Sequence, residues 1–128
     1  MKPIKVVFDS NVYLAALKPD SYAHIQLKRS QPNGPYQLFL SPEILLEIRD
    51  KLEVKFGFSV VESAKFIDMV MLYVKLVQPT QRIAKVLECA MAAKAELIIT
   101  ADRGLLKLKE YNGTKIAHPS MLKYWFPQ

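Results

Sequence analysis

Ile4-Lys5-Val6-Val7-Phe8-Asp9-Ser10-Asn11 is the stretch that decides the fold. Its first five residues are short, β-branched and mostly apolar, the pattern of a buried strand. Asp9-Ser10-Asn11 follows at once, and Val12 to Leu17 reads as a helix that Asp9 or Ser10 can cap. A strand delivering straight into a capped helix is the opening of an α/β unit. Glu96 to Thr100 (Glu-Leu-Ile-Ile-Thr) repeats the arrangement, turning through Ala101-Asp102-Arg103-Gly104 into a short helix containing Leu105 and Leu106.

Between these two units the alternation continues. Pro19 to Leu27 reads as helix after a break, and Gln31 to Pro35 as a turn cluster. Tyr36 to Leu40 is a strand candidate, and Ser41-Pro42 opens a helix to about Lys55. That helix puts Ile44, Leu45, Ile48 and Leu52 on one face and Glu43, Glu47 and Asp50 on the other. Gly57 ends it. Ser59 and Glu62 form a capping box for a helix to about Tyr73. Val74 to Val77 is strand-like. Ile83 to Lys94 is helical, with Ile83, Val86, Leu87, Ala90 and Met91 inward. Asn112-Gly113 is a turn, Lys115 to Ala117 a last strand, and Pro119 to Tyr124 a final helical turn. This order predicts α/β architecture with a mainly parallel sheet. No repeat, linker or low-complexity tract interrupts it, so residues 1–128 are expected to form one domain.

The 128 residues include 18 Lys plus Arg and 12 Asp plus Glu, a net charge of +6. With 51% hydrophobic and 23% charged residues the chain has a globular balance. Cys89 is the only cysteine, which excludes an internal disulfide and a multi-thiolate zinc site. No apolar run approaches the ~18 residues of a membrane-spanning helix. The start lacks signal-peptide features, and a cytoplasmic setting is the default expectation. The positive charge suits a phosphate partner only weakly, because Lys51, Lys55, Lys65, Lys75, Arg82, Lys85 and Lys94 are scattered.

In open α/β sheets, ligands bind beyond the carboxyl ends of the strands. Asp9 closes the first strand and Asp102 lies two residues beyond Thr100. Carboxylates brought together repel, and hard cations such as Mg²⁺ or Mn²⁺ hold them. The alternative is that both aspartates are simply helix caps. On their own, Glu47 and Glu88 read as solvated charges, His24 and His118 as ordinary polar residues, and Cys89 as a small buried hydrophobe. Neither a glycine-rich phosphate loop nor a Gly-x-Ser-x-Gly elbow is present.

Taken together, Val-Val-Phe-Asp9-Ser-Asn11-Val, Ser41-Pro-Glu-Ile-Leu-Leu-Glu47-Ile, Leu87-Glu-Cys-Ala-Met-Ala-Ala-Lys-Ala95 and Ile98-Ile-Thr100-Ala-Asp102-Arg-Gly-Leu-Leu106 resemble the PIN-domain family, in particular small prokaryotic proteins of the VapC-like toxin type. The ending Ile116-Ala-His-Pro119 to Leu122 fits the same resemblance. It implies an α/β/α sandwich and a Mg²⁺- or Mn²⁺-dependent ribonuclease, with Asp9, Glu47 and Asp102 as catalytic and metal-binding acids and Asn11, Glu88 and Thr100 as accessory positions. It also implies an RNA substrate, an antitoxin protein partner and a homodimer; no membrane partner is expected, from the lack of a long apolar run. One departure is plain. Where the family carries an Asp-rich stretch before the Leu-Glu-Cys-Ala helix, this chain reads Gln81-Arg82-Ile83-Ala84-Lys85, with no acid between Asp68 and Glu88. Three accounts stay open: loss of a ligand and of activity, partial substitution by Glu88, or a loop missing between Val77 and Leu87. An intact mass well above 14.6 kDa would favour the last.

Overall fold

The computed structural model describes residues 3–81 and 83–127. The elements run β1 (Ile4–Phe8), α1 (Ser10–Ala15), α2 (Tyr22–Lys28), β2 (Tyr36–Leu40), α3 (Pro42–Val54), α4 (Val60–Met71), β3 (Val74–Leu76), α5 (Lys85–Ala93), β4 (Leu97–Ile99), α6 (Arg103–Leu108), β5 (Glu110–Tyr111), β6 (Thr114–Ala117), a 3₁₀ turn (Pro119–Met121) and α7 (Leu122–Trp125). The six strands form one sheet in the order β3-β2-β1-β4-β6-β5, flanked by helices. Every pairing is parallel except β5 with β6. The α/β/α expectation with a mainly parallel sheet holds.

The order of the strands places the site. The chain builds outward from β1 through β2 to β3, then crosses back to lay β4 on the other flank of β1. The carboxyl ends of β1 and β4 therefore meet where the winding reverses, the position at which open α/β sheets form their ligand crevice. Phe8 pairs with Ile99, and the Asp9 amide continues the ladder by donating to the Ile99 carbonyl at 2.9 Å.

The core explains why β1 reads as continuous apolar sequence. Val6, Val7 and Phe8 are all buried, because helices cover both faces of a central parallel strand. α5 packs over β1, β2 and β4 through Val86, Leu87, Cys89, Ala90 and Ala93. Phe8 lies 5.8 Å from the Tyr13 ring and 6.2 Å from the Tyr36 ring, and Tyr36 meets Phe126 edge-on at 4.9 Å.

Helix starts follow the capping residues. Ser41 accepts from the Ile44 amide with Pro42 opening α3, and the Ser59–Glu62 capping box is complete in both directions. Asp9 rather than Ser10 caps α1, which consequently begins at Ser10 instead of Val12. The hairpin β5–β6 turns on Asn112-Gly113, whose φ values of 49° and 85° suit that dipeptide. β5 itself, two residues long, carries no sequence signal.

Three expectations change. α5 begins at Lys85, not Ile83; Ile83 is 47% exposed and outside the core, since no side chain caps the helix at Ala84. Leu45 and Met91 are half-buried rather than fully inward. Glu43 is not on a freely solvated face: it is half-buried, and its Oε2 is enclosed without a hydrogen-bond partner. Arg82 lies outside the described residues. Among the described residues, no helix is long and apolar enough to cross a membrane.

Candidate active site

Asp9 is fixed at the end of β1 by three bonds. Its amide belongs to the sheet ladder, its Oδ1 accepts from the Ser10 amide at 2.7 Å, and its Oδ2 accepts from the Thr100 hydroxyl at 2.8 Å. Thr100 follows β4 and is fully buried. Its Oγ1 works twice, donating to Asp9 and accepting from the Asp102 amide at 3.0 Å. One hydroxyl thus ties the carboxylate at the end of β1 to the backbone beyond β4. Asp102 caps α6, its Oδ1 accepting from the Leu105 amide at 3.0 Å. Both aspartates are caps, as the plainer reading expected, and both stand at the reversal of the sheet. The two readings are compatible, because a carboxylate oxygen has lone pairs to spare beyond one amide.

Glu47 has different partners. It lies on α3, half-buried, with its Oε1 3.2 Å from Lys85 Nζ and its Oε2 4.0 Å from Lys51 Nζ. Burial raises the Glu47 carboxyl, but the Ser10 hydroxyl beside it and the ammonium groups of Lys85 and Lys51 outweigh that effect and hold it below the ordinary glutamate value. Lys51 also donates to Ser10 Oγ at 2.9 Å and to Asn11 Oδ1 at 3.1 Å, bracing α3 against the start of α1. Asn11 is therefore engaged with a lysine. Glu88 accepts from the Ile83 amide and lines a small cavity of about 150 Å³ with Glu43 and residues 78–81. It shares no hydrogen bond with Asp9 or Asp102. Cys89 is fully buried against the Phe39 carbonyl, and burial pushes its thiol up to about 12. His24 and His118 bond the Ala16 carbonyl and Ser120 respectively.

The family model of the PIN domain matches residues 5–104, which take in both aspartates, Glu47 and strands β1 to β4, all but the first residue of β1. The chain belongs to the PIN domain family. This is a nuclease-type family whose members typically use divalent metals. The crystal structure of PAE2754 from Pyrobaculum aerophilum is similar in fold, with a TM-score of 0.57, 17% identity, and 96% of this chain and 89% of that one covered. No curated protein matches the chain.

The donor set of this PIN domain can be tested against a metal ion. Among the described residues, no three His, Cys, Asp or Glu side chains gather closely enough to hold one between them. Asp9 and Asp102, tied through the Thr100 hydroxyl, offer oxygen donors of the kind that hard divalent cations take. The residues that sequence reasoning passed over are Ser10, Lys51 and Lys85. Lys51 had a signal, being one helical turn beyond Glu47. Lys85 had none, because it meets Glu47 only through tertiary packing.

Proposed function

We propose that this PIN domain hydrolyses RNA phosphodiester bonds at the carboxyl ends of β1 and β4, with Mg²⁺ or Mn²⁺ held by Asp9 and Asp102. The observation that carries this is the Thr100 hydroxyl, which links the two aspartates at the sheet reversal in a chain of a nuclease-type family. A bound divalent ion supplies polarisation of the phosphoryl oxygen and a more acidic water. Asp9 and Asp102 provide oxygen ligands, and Thr100 fixes the Asp9 carboxylate so that its position does not depend on the ligand. Gathering these two of the 12 acids in one site would leave the rest of a +6 chain more basic and suited to an RNA backbone. The protein would serve as the toxin of a pair with an antitoxin protein, in the cytoplasm, with homodimerisation as a further part of the same proposal.

A metal titration followed by RNA cleavage tests it, with wild type and Asp9→Asn side by side. Turnover should require Mg²⁺ or Mn²⁺ and fall by about two orders of magnitude or more in the variant, the scale of losing a transition-state charge partner. Cleavage that survives Asp9→Asn unchanged rules the assignment out.

Two observations favour a second reading, that of a catalytically silent PIN module that binds RNA or a protein. The segment before α5 carries no acid, and Glu47 is engaged by two lysines. This reading expects salt-sensitive RNA binding with no metal-dependent cleavage.

A further inference from the structure

The two oxygens of Glu47 each face a lysine, and the lysines come from different elements: Lys51 from the next turn of α3, and Lys85 from the first residue of α5. Lys51 is the better fixed. Its side chain is 22% exposed, and its ammonium also bonds Ser10 Oγ and Asn11 Oδ1, the two residues after Asp9. Lys85 is half-exposed at the rim of a cavity of about 510 Å³ that runs along α3 past Glu43, Leu46 and Val54. A single exposed Lys–Glu pair contributes little to stability. Two ammonium groups on one largely covered carboxylate matter in another way. They cancel its charge locally, and they repel any further cation that approaches within a few ångströms. A divalent ion seeking Glu47 would have to displace Lys85 and then sit beside Lys51.

We propose that Lys85 and Lys51 are the resident cations of Glu47, so that in this chain Glu47 is a lysine-paired carboxylate and not a metal ligand. The proposal rests on the reading of Asp9 and Asp102 only for where a divalent ion would otherwise bind. It accounts for a site with two aspartates joined through Thr100 and a glutamate that stands apart from them in its partners.

The test is Mn²⁺ binding to the full chain, followed by the electron paramagnetic resonance signal of free Mn²⁺ at constant ionic strength. The proteins are wild type, Glu47→Gln, Lys85→Met and the double variant, each checked for a cooperative melting transition well above the assay temperature. Glu47→Gln should leave the wild-type binding curve within about twofold. Lys85→Met should tighten Mn²⁺ binding about fivefold, the scale of one unit charge at contact in a watery site. That gain should vanish in the double variant. Loss of wild-type Mn²⁺ binding on Glu47→Gln overturns the proposal, as does a Lys85→Met protein that binds like wild type. If wild type takes up no Mn²⁺, the metal reading of the two aspartates fails, while a Glu47-dependent gain in Lys85→Met still supports the pairing.

Discussion

Replacing Thr100 by Val keeps the shape of the side chain and removes the hydroxyl that joins the two strand ends. The structure sets the size of the effect. One lost hydrogen bond runs to the Asp9 carboxylate at 2.8 Å, and bonds to charged groups contribute about 1.5–3 kcal/mol. The other comes from the Asp102 amide at 3.0 Å and contributes about 1 kcal/mol. Burying a methyl where the hydroxyl stood returns roughly 0.8 kcal/mol. Asp9 is only half-buried, so water can satisfy part of what it loses. The net expectation is a destabilisation of about 2 kcal/mol, read by urea unfolding at neutral pH, or a fall in Tm of roughly 8 °C for a chain of this size. Thr100→Ser, which keeps the hydroxyl, should lose less than half as much. Combined with Asp9→Asn, the Val variant should show a coupling of about 1 kcal/mol in a double-mutant cycle. A Thr100→Val protein within about 0.5 kcal/mol of wild type would refute the idea that this hydroxyl holds the site together.

Three further outcomes follow from the same geometry. Tyr13 is fully buried and its hydroxyl has no hydrogen-bond partner among the described residues, so Tyr13→Phe should raise stability by about 1 kcal/mol in urea titration; a loss of that size would reveal a bonded hydroxyl. Cys89 is buried with its thiol pushed up to about 12, so native protein at pH 8 should resist a thiol reagent that reacts at once when urea is added. The Glu47 carboxyl is held below its ordinary value, so its pairing stabilises the fold above the unfolded-state value near about 4.3 and that contribution is lost as pH falls through the lower folded value. Glu47→Gln should therefore narrow the stability difference between pH 7 and pH 3, and an unchanged difference would contradict the pairing.

The parts of the fold legible in the sequence were those fixed by local chemistry. β1 and β2 declared themselves through short apolar runs, α3 and α4 through Ser41, Pro42 and the Ser59–Glu62 box, and the last hairpin through Asn112-Gly113. Boundaries shifted where no such residue stood. Ile83 looked inward by periodicity, but without a capping side chain α5 starts two residues later and leaves it exposed. The aspartates could be placed at strand ends from sequence because parallel sheets carry their sites there. What surrounds them could not. The buried Thr100 hydroxyl bridges elements 91 positions apart in sequence, and Lys85 reaches Glu47 across 38. The solvated face assigned to Glu43 and Glu47 failed for a related reason: amphipathic periodicity describes one helix and takes no account of the neighbour, here α5, that packs against its edge.

The most direct measurement is metal-dependent cleavage of an end-labelled, unstructured RNA by protein that melts as wild type does, comparing wild type with Asp102→Asn. The account predicts cleavage that appears with Mn²⁺ or Mg²⁺, disappears with chelator, and falls about a hundredfold or more in the variant. Wild-type protein that binds this RNA yet leaves it whole at every metal concentration, or a variant that cuts as fast as wild type, would contradict it.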